Sequence, residues 1–382
     1  HIGRIVVDPK NPDVAYVAAL GHLWGPNRER GLYKTSDGGK TWVNTKFINE
    51  DTGFVDVAMD FESPQTLYAA SYQRRRAPFG YNGGGPGGAL WKTVDGGATW
   101  TKMTRGLPTQ DDIGRIGVNV YRQDPRIVYA IIEHATQGGV YRSDNRGESW
   151  TKMSDTNPRP SYYSKIHIDP NNDQRIWVLG ARMFYSEDGG KTFRTNLVEK
   201  IHGDFHALWI NPANSNHMLA GSDGGIHLSY DRGRSWDFAN TVTLAQFYEV
   251  GVDMRKPYYV YGGLQDNGTW GGPSRTLFTQ GITNEDWFRV GGGDGFYAVV
   301  DPSDHNIVYL ESQDGNVQRL DQRAFERRNI RPEAPDGQKY RFNWNSPILI
   351  SPHDPKRIYY GGNRLFGSRD SGETWDPVSP DL

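Results

Sequence analysis

The stretch Thr35-Ser36-Asp37-Gly38-Gly39-Lys40-Thr41-Trp42 decides the fold, because its pattern recurs along the chain. The pattern reads Ser/Thr–x–Asp–x–Gly–x–Thr/Ser–Trp/Phe, and five further copies cover residues 93–100, 143–150, 186–193, 229–236 and 368–375. An Asp in this position accepts hydrogen bonds from backbone N–H groups of its own turn, and the glycine permits the positive φ of a reversal. Each copy therefore predicts a tight turn between antiparallel strands, whose final aromatic residue packs between neighbouring sheets.

A second repeat precedes these turns. It reads apolar–x–apolar–Asp–Pro–x–x–Pro, followed by a short apolar stretch with Tyr, and it first covers residues 5–17. The positions equivalent to Asp8 are Asp60, Asn119, Asp169, Asn211, Asp253, Asp301 and Ser351. The copies recur about every 40–60 residues, which is the length of a four-stranded propeller blade.

Together the two repeats predict four strands per module, at residues 5–8, 14–19, 31–36 and 42–45 of the first one, here called strands A to D. No segment has the sustained periodicity of an amphipathic helix, so we expect very little helix. We predict an all-β fold, a β-propeller of about eight four-stranded blades that forms one ring or part of a larger or double propeller. The predicted blades cover residues 1–49, 50–109, 110–159, 160–201, 202–243, 244–291, 292–339 and 340–382.

Composition excludes several classes of function. The chain has 43 Lys and Arg against 45 Asp and Glu, so it lacks the basic field of a nucleic-acid-binding protein. It has no cysteine, which excludes disulfides, thiolate–zinc sites and cysteine nucleophiles. No apolar run is long enough to span a bilayer.

The chain begins at strand A and ends after strand D, and we expect it to be part of a longer protein.

In a propeller the starts of the A strands and the B–C links lie near the axis, whereas the turn motifs lie on the rim. We therefore assign a structural role to the repeated turn residues Asp37, Asp95, Asn145, Asp188, Asp231 and Asp370. The sixth and seventh modules lack the motif, and polar residues concentrate in the links of the fifth to seventh modules. The ligand-binding or catalytic candidates there are Asp204, Asp223, Asp266 and Asp294, with His202, His206, Gln265 and Asn267 beside them.

These links have three interpretations. If they face one axis, their polar groups could form a polyol or glycan site, or two of the carboxyls could cleave a glycosidic bond as an acid–base pair. Alternatively, each Asp only caps its own tight turn. His202-x-Asp204-x-His206 also resembles a metal-binding motif if it lies on a strand, where alternate side chains share one face. A hydrogen-bonded structural histidine is the competing interpretation, and we expect no metal or cofactor.

Two insertions supply the remaining candidates. Arg74, Arg75 and Arg76 follow the second B strand and lead into the glycine-rich residues 80–88, where they could bind carboxylates or phosphates. Trp24, in the first B–C link, and Tyr81 could stack on sugar rings or on a partner's side chains. Solvated or self-packed loops would explain the same residues without any ligand.

With these repeats, the turn motif is identified as an Asp-box, and the chain resembles the sortilin-type Asp-box propellers, in particular a bacterial secreted branch. Residues 80–88, 204–209 and 262–270 carry that likeness. The chain resembles more distantly the two-propeller, xyloglucan-cleaving glycoside hydrolases. The resemblance implies a location outside the cytoplasm, extracellular, periplasmic or on the cell surface of a bacterium. One departure is that sortilins carry a cysteine-rich module after the propeller, and this chain has no cysteine.

Three functions follow as expectations. The first is an exported propeller that binds a protein, peptide or glycan through its axial loops without catalysis. The second is an endo-acting glycoside hydrolase that uses paired Asp residues, so whether the chain is an enzyme stays open. The third is a structural component of a cell-surface assembly, with further blades or subunits as partners.

Overall fold

The computed structural model describes residues 1–109, 112–195, 197, 201–239 and 244–382. These residues form antiparallel sheets, and their helical segments are two short 3-10 turns at Asn284–Asp286 and Gln313–Gly315. They divide into two compact units, His1–Ala239 and Asn240–Leu382. Within the described ranges, no helix is long and apolar enough to cross a membrane. The prediction of an all-β chain with very little helix is confirmed.

The first unit contains five sheets among its described residues. Its strands in chain order are β1 (Ile2–Val7), β2 (Ala15–Ala19), β3 (Gly31–Thr35), β4 (Val43–Lys46), β5 (Thr52–Met59), β6 (Leu67–Ala77), β7 (Gly80–Gly83), β8 (Ala89–Thr93), β9 (Thr101–Lys102), β10 (Ile116–Val120), β11 (Val128–Ile132), β12 (Gly139–Ser143), β13 (Thr151–Ser154), β14 (Lys165–Asp169), β15 (Asn172–Leu179), β16 (Phe184–Ser186), β17 (Phe205–Ile210), β18 (Met218–Ser222), β19 (Gly225–Ser229) and β20 (Asp237–Phe238). The sheets are β1–β4, β5–β9, β10–β13, β14–β16 and β17–β20, and each follows chain order except that β7 pairs only with β6, next to β8.

The second unit contains three four-stranded sheets in its described part, β21–β24, β25–β28 and β29–β32. Its strands are β21 (Phe247–Val252), β22 (Tyr259–Leu264), β23 (Gly268–Pro273), β24 (Phe288–Gly291), β25 (Gly295–Val300), β26 (Ile307–Ser312), β27 (Asn316–Asp321), β28 (Glu326–Asn329), β29 (Ile348–Ile350), β30 (Ile358–Gly361), β31 (Leu365–Ser368) and β32 (Asp376–Pro377).

Within each unit the first strands of successive sheets lie close together. The Asp56 carboxylate of β5 accepts a hydrogen bond from the Val118 N–H of β10, with Oδ2 and N 3.0 Å apart. Glycine permits this approach at two of the junctions. A Cβ at Gly117 would lie 2.2 Å from the Ser164 carbonyl oxygen, and one at Gly251 would lie 2.1 Å from that of Ala298.

The hydrophobic core lies between successive sheets. Tyr16 of the first sheet packs with Phe54 and Leu67 of the second, and Tyr309 of the seventh packs with Tyr360 of the eighth. Stacked small meander sheets of this kind, with the first strand of each next to that of its neighbour, are propeller blades. The prediction of a β-propeller built from eight such blades is confirmed by this topology.

The repeated Asp closes its own turn, as predicted. Oδ1 of Asp37 accepts a hydrogen bond from the Thr41 N–H at 2.9 Å, and Oδ2 accepts one from the Thr41 hydroxyl at 2.6 Å. The aromatic residue that ends the motif packs against the preceding sheet at Trp100, Trp150, Phe193, Trp236 and Trp375. Trp42 is the exception, because no sheet precedes its own within the first unit, and it is 43% exposed.

Two details differ from the prediction. Among the described residues, the fourth sheet has three strands, and the described part of the fourth-strand position contributes an isolated bridge between Tyr185 and Arg194. The three arginines at 74–76 lie within β6, which extends to Ala77 and pairs with β7, and they do not follow the strand as expected. The predicted blade limits at 110 and 243 fall outside the described residues, and the blade limits as a whole stay a prediction.

Candidate functional site

The fourth and fifth sheets bring together a group of polar and aromatic side chains, here called the His206 site. Its members come from the loop before β14, the segment leading into β17 and the β18–β19 turn, and they are Tyr162, Tyr163, Asp204, His206 and Asp223. The Tyr163 hydroxyl donates a hydrogen bond to Oδ1 of Asp204. The His206 ring stacks on Tyr163 with centroids 5.2 Å apart, and its Nε2 lies 3.2 Å from Oδ1 of Asp223.

The backbone turns sharply where these side chains are presented. Asp204 has a φ of 61°, in the left-handed region that Asp and Asn tolerate better than most residues. Its N–H donates to the Ala181 carbonyl at 3.1 Å, and its carbonyl accepts the Asp223 N–H at 3.2 Å. The two segments that carry the carboxylates are thus fixed to each other through the main chain.

Burial shifts the pKa of two side chains of the site, His206 and Tyr163. The pKa of His206 is lowered because burial disfavours the imidazolium, and this outweighs the opposing effect of Asp223. Burial and the bond to Asp204 raise the pKa of Tyr163. Nε2 of His206 faces Oδ1 of Asp223, whereas Tyr162 is 46% exposed at the edge of the site.

The metal interpretation of His202, Asp204 and His206 assumed an extended strand, and that assumption is wrong. Strand β17 begins only at Phe205, and the positive φ of Asp204 breaks the alternation of side chains. His202 instead packs beside Gly224, where a Cβ would lie 2.2 Å from the His202 Cβ. Among the residues that the structure describes, no group of three His, Asp or Glu side chains could hold a metal ion.

The other two candidate acids meet in the second unit. Oδ1 of Asp294 accepts the Asp266 N–H at 2.7 Å, so this buried carboxylate caps the β22–β23 turn. The Asn267 amide donates to the Gln265 carbonyl within the same turn. Asp294 therefore caps a turn, but it is the turn of the neighbouring link at Asp266 and not its own. A cavity of about 180 Å³ lies beside Gly293, lined by Thr269, Gly291, Gly292, Gln313 and Asn316 among others.

The insertion residues are largely engaged with one another. Arg75 binds Asp51 with its Nη2 2.7 Å from Oδ1, and the Arg76 guanidinium lies 5.8 Å from the centre of the Trp24 ring. The Tyr81 and Tyr72 hydroxyls share a hydrogen bond. Trp24 and Tyr81 are each 48% exposed. The two insertions therefore pack against each other as a folded extension of the first two sheets.

Sequence reasoning missed Tyr162, Tyr163 and the neighbouring Lys165, whose ammonium donates to the His206 carbonyl with Nζ and O 2.6 Å apart. These residues lead into the fourth A strand, as residues 202–206 lead into the fifth. The repeat phase alone could have identified them, because equivalent segments of adjacent blades lie side by side.

Comparison with known proteins finds distant relatives only. The chain is 24% identical over 221 residues to an oligoxyloglucan-reducing end-specific xyloglucanase of Emericella nidulans, which covers 46% of the chain and 27% of that protein. It is 23% identical over 296 residues to the photosystem II assembly lipoprotein Ycf48 of a Picosynechococcus strain, which covers 57% of the chain and 84% of that protein. No protein-family model matches.

A solved GH74 xyloglucanase from Xanthomonas campestris aligns with the whole chain and 69% of its own length, at 15% identity and a TM-score of 0.39. The chain spans only about a quarter to a third of the first curated xyloglucanases that it matches. By these comparisons, the chain is distantly related to xyloglucanases and to Ycf48.

Proposed function

We propose that this chain is an exported ligand-binding propeller and that its His206 site binds a glycan without cleaving it. The observation that carries the proposal is the exposed ring of Tyr162, which contacts the rings of Tyr163 and His206. These two residues in turn contact the carboxylates of Asp204 and Asp223. Exposed aromatic rings stack on the apolar faces of sugars, and carboxylates accept hydrogen bonds from sugar hydroxyls. The distant similarity to xyloglucanases supports a glycan as the ligand.

The contacts of the two carboxylates favour binding over hydrolysis. Asp204 accepts a hydrogen bond from the Tyr163 hydroxyl, and Oδ1 of Asp223 lies 3.2 Å from Nε2 of His206, so both carboxyls present acceptor oxygens at the site. Hydrolysis of a glycosidic bond needs one protonated carboxyl that gives its proton to the leaving oxygen. A hydroxyl-rich ligand, in contrast, uses acceptors of this kind directly.

Calorimetric titration of the intact chain with xyloglucan oligosaccharides tests this proposal. We expect Tyr162→Ala and Asp223→Asn to weaken binding by about tenfold each, the loss of one stacking contact or one charged hydrogen bond. Tyr230→Ala and Asp237→Asn are the matched controls, since both residues are exposed in the fifth blade, which also carries Asp223, but lie outside the site. If all four variants bound the oligosaccharides with equal affinity, the proposed location of the binding site at the His206 site would be wrong.

Hydrolysis is the second candidate, favoured by the similarity to xyloglucanases. Release of reducing ends from xyloglucan distinguishes it from binding alone. If the wild-type chain releases them and Asp204→Asn or Asp223→Asn abolishes the release, the binding-only proposal is wrong. Binding without release, together with loss of binding in the variants, supports it.

A further inference from the structure

Three cationic side chains of the first unit lie on, or directly before, the first strands of their sheets, next to the His206 site. Arg4 lies on β1, Arg115 directly precedes β10 and Lys165 begins β14. We call these three residues the inner-strand cations. All three are only partly buried, so a ligand can reach them.

Among the described residues, the nearby acids Asp56 and Glu133 do not bind the guanidinium of Arg115 directly. Asp56 binds Nε of Arg4 at 2.9 Å and uses its second oxygen for the Val118 N–H. Glu133 accepts the main-chain N–H of Arg115, with Oε2 and N 2.8 Å apart. The guanidinium of Arg115 forms no hydrogen bond or ion pair with any residue that the structure describes. Its five N–H donors are therefore available to a ligand.

The charges lie close enough to affect one another. Burial lowers the pKa of Lys165 to about 8, and the positive charges of Arg115 and Arg4 contribute to that decrease. Arg115 also contributes to the lowered pKa of His206, after burial and Lys165. Cations that repel each other in this way gain the most when an anion binds between them.

Arg115 and the His206 site therefore belong to one surface. Lys165 connects them: its ammonium donates to the His206 carbonyl, and Gly117, two residues after Arg115, packs so closely on Ser164 that an added Cβ would lie 2.2 Å from the Ser164 carbonyl oxygen. We infer that Arg115, supported by Lys165, binds the carboxylate of an acidic sugar whose ring lies at the His206 site. This inference rests on the proposed function and narrows it from glycans in general to uronic-acid-containing glycans. The planar guanidinium matches a carboxylate in two parallel hydrogen bonds, which a neutral sugar cannot supply.

Oligogalacturonate and its methyl ester test the inference, because the two share one sugar backbone and the ester replaces each charged carboxylate by a neutral methyl ester. Calorimetric titration of the intact chain should show about tenfold tighter binding of the acid than of the ester. Arg115→Gln should abolish this preference and leave the affinity for the ester unchanged, which also shows that the variant is folded. Lys102→Gln, which removes an exposed cation on β9, should preserve the preference.

Each of the other possible results contradicts either the acidic-sugar inference or the proposed function. Equal binding of acid and ester would overturn the acidic ligand and leave glycan binding intact. No binding of the ester, the acid or xyloglucan oligosaccharides would overturn the proposed function itself. A preference for a sulfated oligosaccharide over its unsulfated form, with no response to carboxylate, would assign Arg115 to sulfate. Binding of a glutamate-rich peptide through Arg115, without binding of oligogalacturonate, would replace the sugar by a peptide.

Discussion

At the scale of single residues, Glu311 on β26 is a buried carboxyl with incomplete hydrogen bonding. It is 1% exposed, and Oε1 accepts the Ser346 N–H at 3.0 Å. Its Oε2 has no hydrogen-bond partner within the described part of the chain. Burial raises the pKa of Glu311 to about 8, although the backbone N–H groups of Ser346 and Tyr297 oppose the shift. The folded protein therefore holds this side chain neutral at physiological pH.

The raised pKa of Glu311 makes folding stability depend on pH. A carboxyl whose pKa is higher in the folded than in the unfolded state, where it is about 4.3, favours folding at low pH. This contribution falls as the pH rises above the unfolded value and is lost by the time the pH passes about 8. Glu311→Gln imitates the protonated form, so we expect its Tm to exceed that of the wild type increasingly between pH 5 and pH 9. Glu326→Gln, exposed on β28, is the control, and thermal unfolding at several pH values measures both. A difference that does not change with pH would contradict the burial of a neutral carboxyl.

At the scale of the turn element, Asp370 shows what the repeated motif contributes. Its Oδ1 accepts the Thr374 N–H at 2.9 Å and its Oδ2 accepts the Thr374 hydroxyl at 2.6 Å. These hydrogen bonds, that of the Thr374 hydroxyl first, lower the pKa of Asp370 to about 2. Asp370→Ala should cost about 1 kcal/mol in the free energy of unfolding, measured by urea denaturation at neutral pH.

Asn is the control substitution, because Asn145 already occupies this position in another turn. There Oδ1 accepts the Ser149 N–H at 3.0 Å and the amide donates to the Ser149 hydroxyl. We expect Asp370→Asn to lose less stability than Asp370→Ala. The advantage of the wild type over Asp370→Ala should decrease as the pH falls from about 4 through about 2, since protonation removes the ionised acceptor. An advantage that is the same at pH 2 as at pH 6 would show that the charge is not what stabilises the turn.

At the scale of the strand, Gly117 fixes how closely two sheets approach. A Cβ there would lie 2.2 Å from the Ser164 carbonyl oxygen, which belongs to the backbone and cannot rotate away. Gly117→Ala should therefore destabilise the first unit by about 1–3 kcal/mol, as overpacking does in other cores. Gly80→Ala is the control, because no atom lies within 4 Å of the added Cβ. Equal urea midpoints for the two variants would mean that the sheets can separate without cost.

For the whole molecule, features that depend on residues close together in the chain could be predicted from the sequence. Contacts that depend on how neighbouring blades align with each other could not. The role of Asp37 follows from residues four positions apart, so the repeat alone predicted the turns and the all-β fold. Tyr162 and Arg115 became candidates only when neighbouring blades placed them beside His206 and Lys165. The extended geometry expected for His202 to His206 failed because Asp204 adopts a positive φ. The local residue pattern does not indicate that the residue before this strand has a positive φ.

The second and fourth strands of the blades differ in burial. In the third and seventh sheets the second strands β11 and β26 are almost entirely buried, whereas β28 is exposed along its length and β13 along half of it. A second strand is paired on both sides, but a fourth strand is a sheet edge that can detach without disturbing the core between blades. Hydrogen exchange followed by mass spectrometry should therefore show slow exchange in the second strand and fast exchange in the fourth strand of every sheet that has both. Protection that is equal across the strands, or highest at the rim, would contradict a core that lies between the inner parts of the blades.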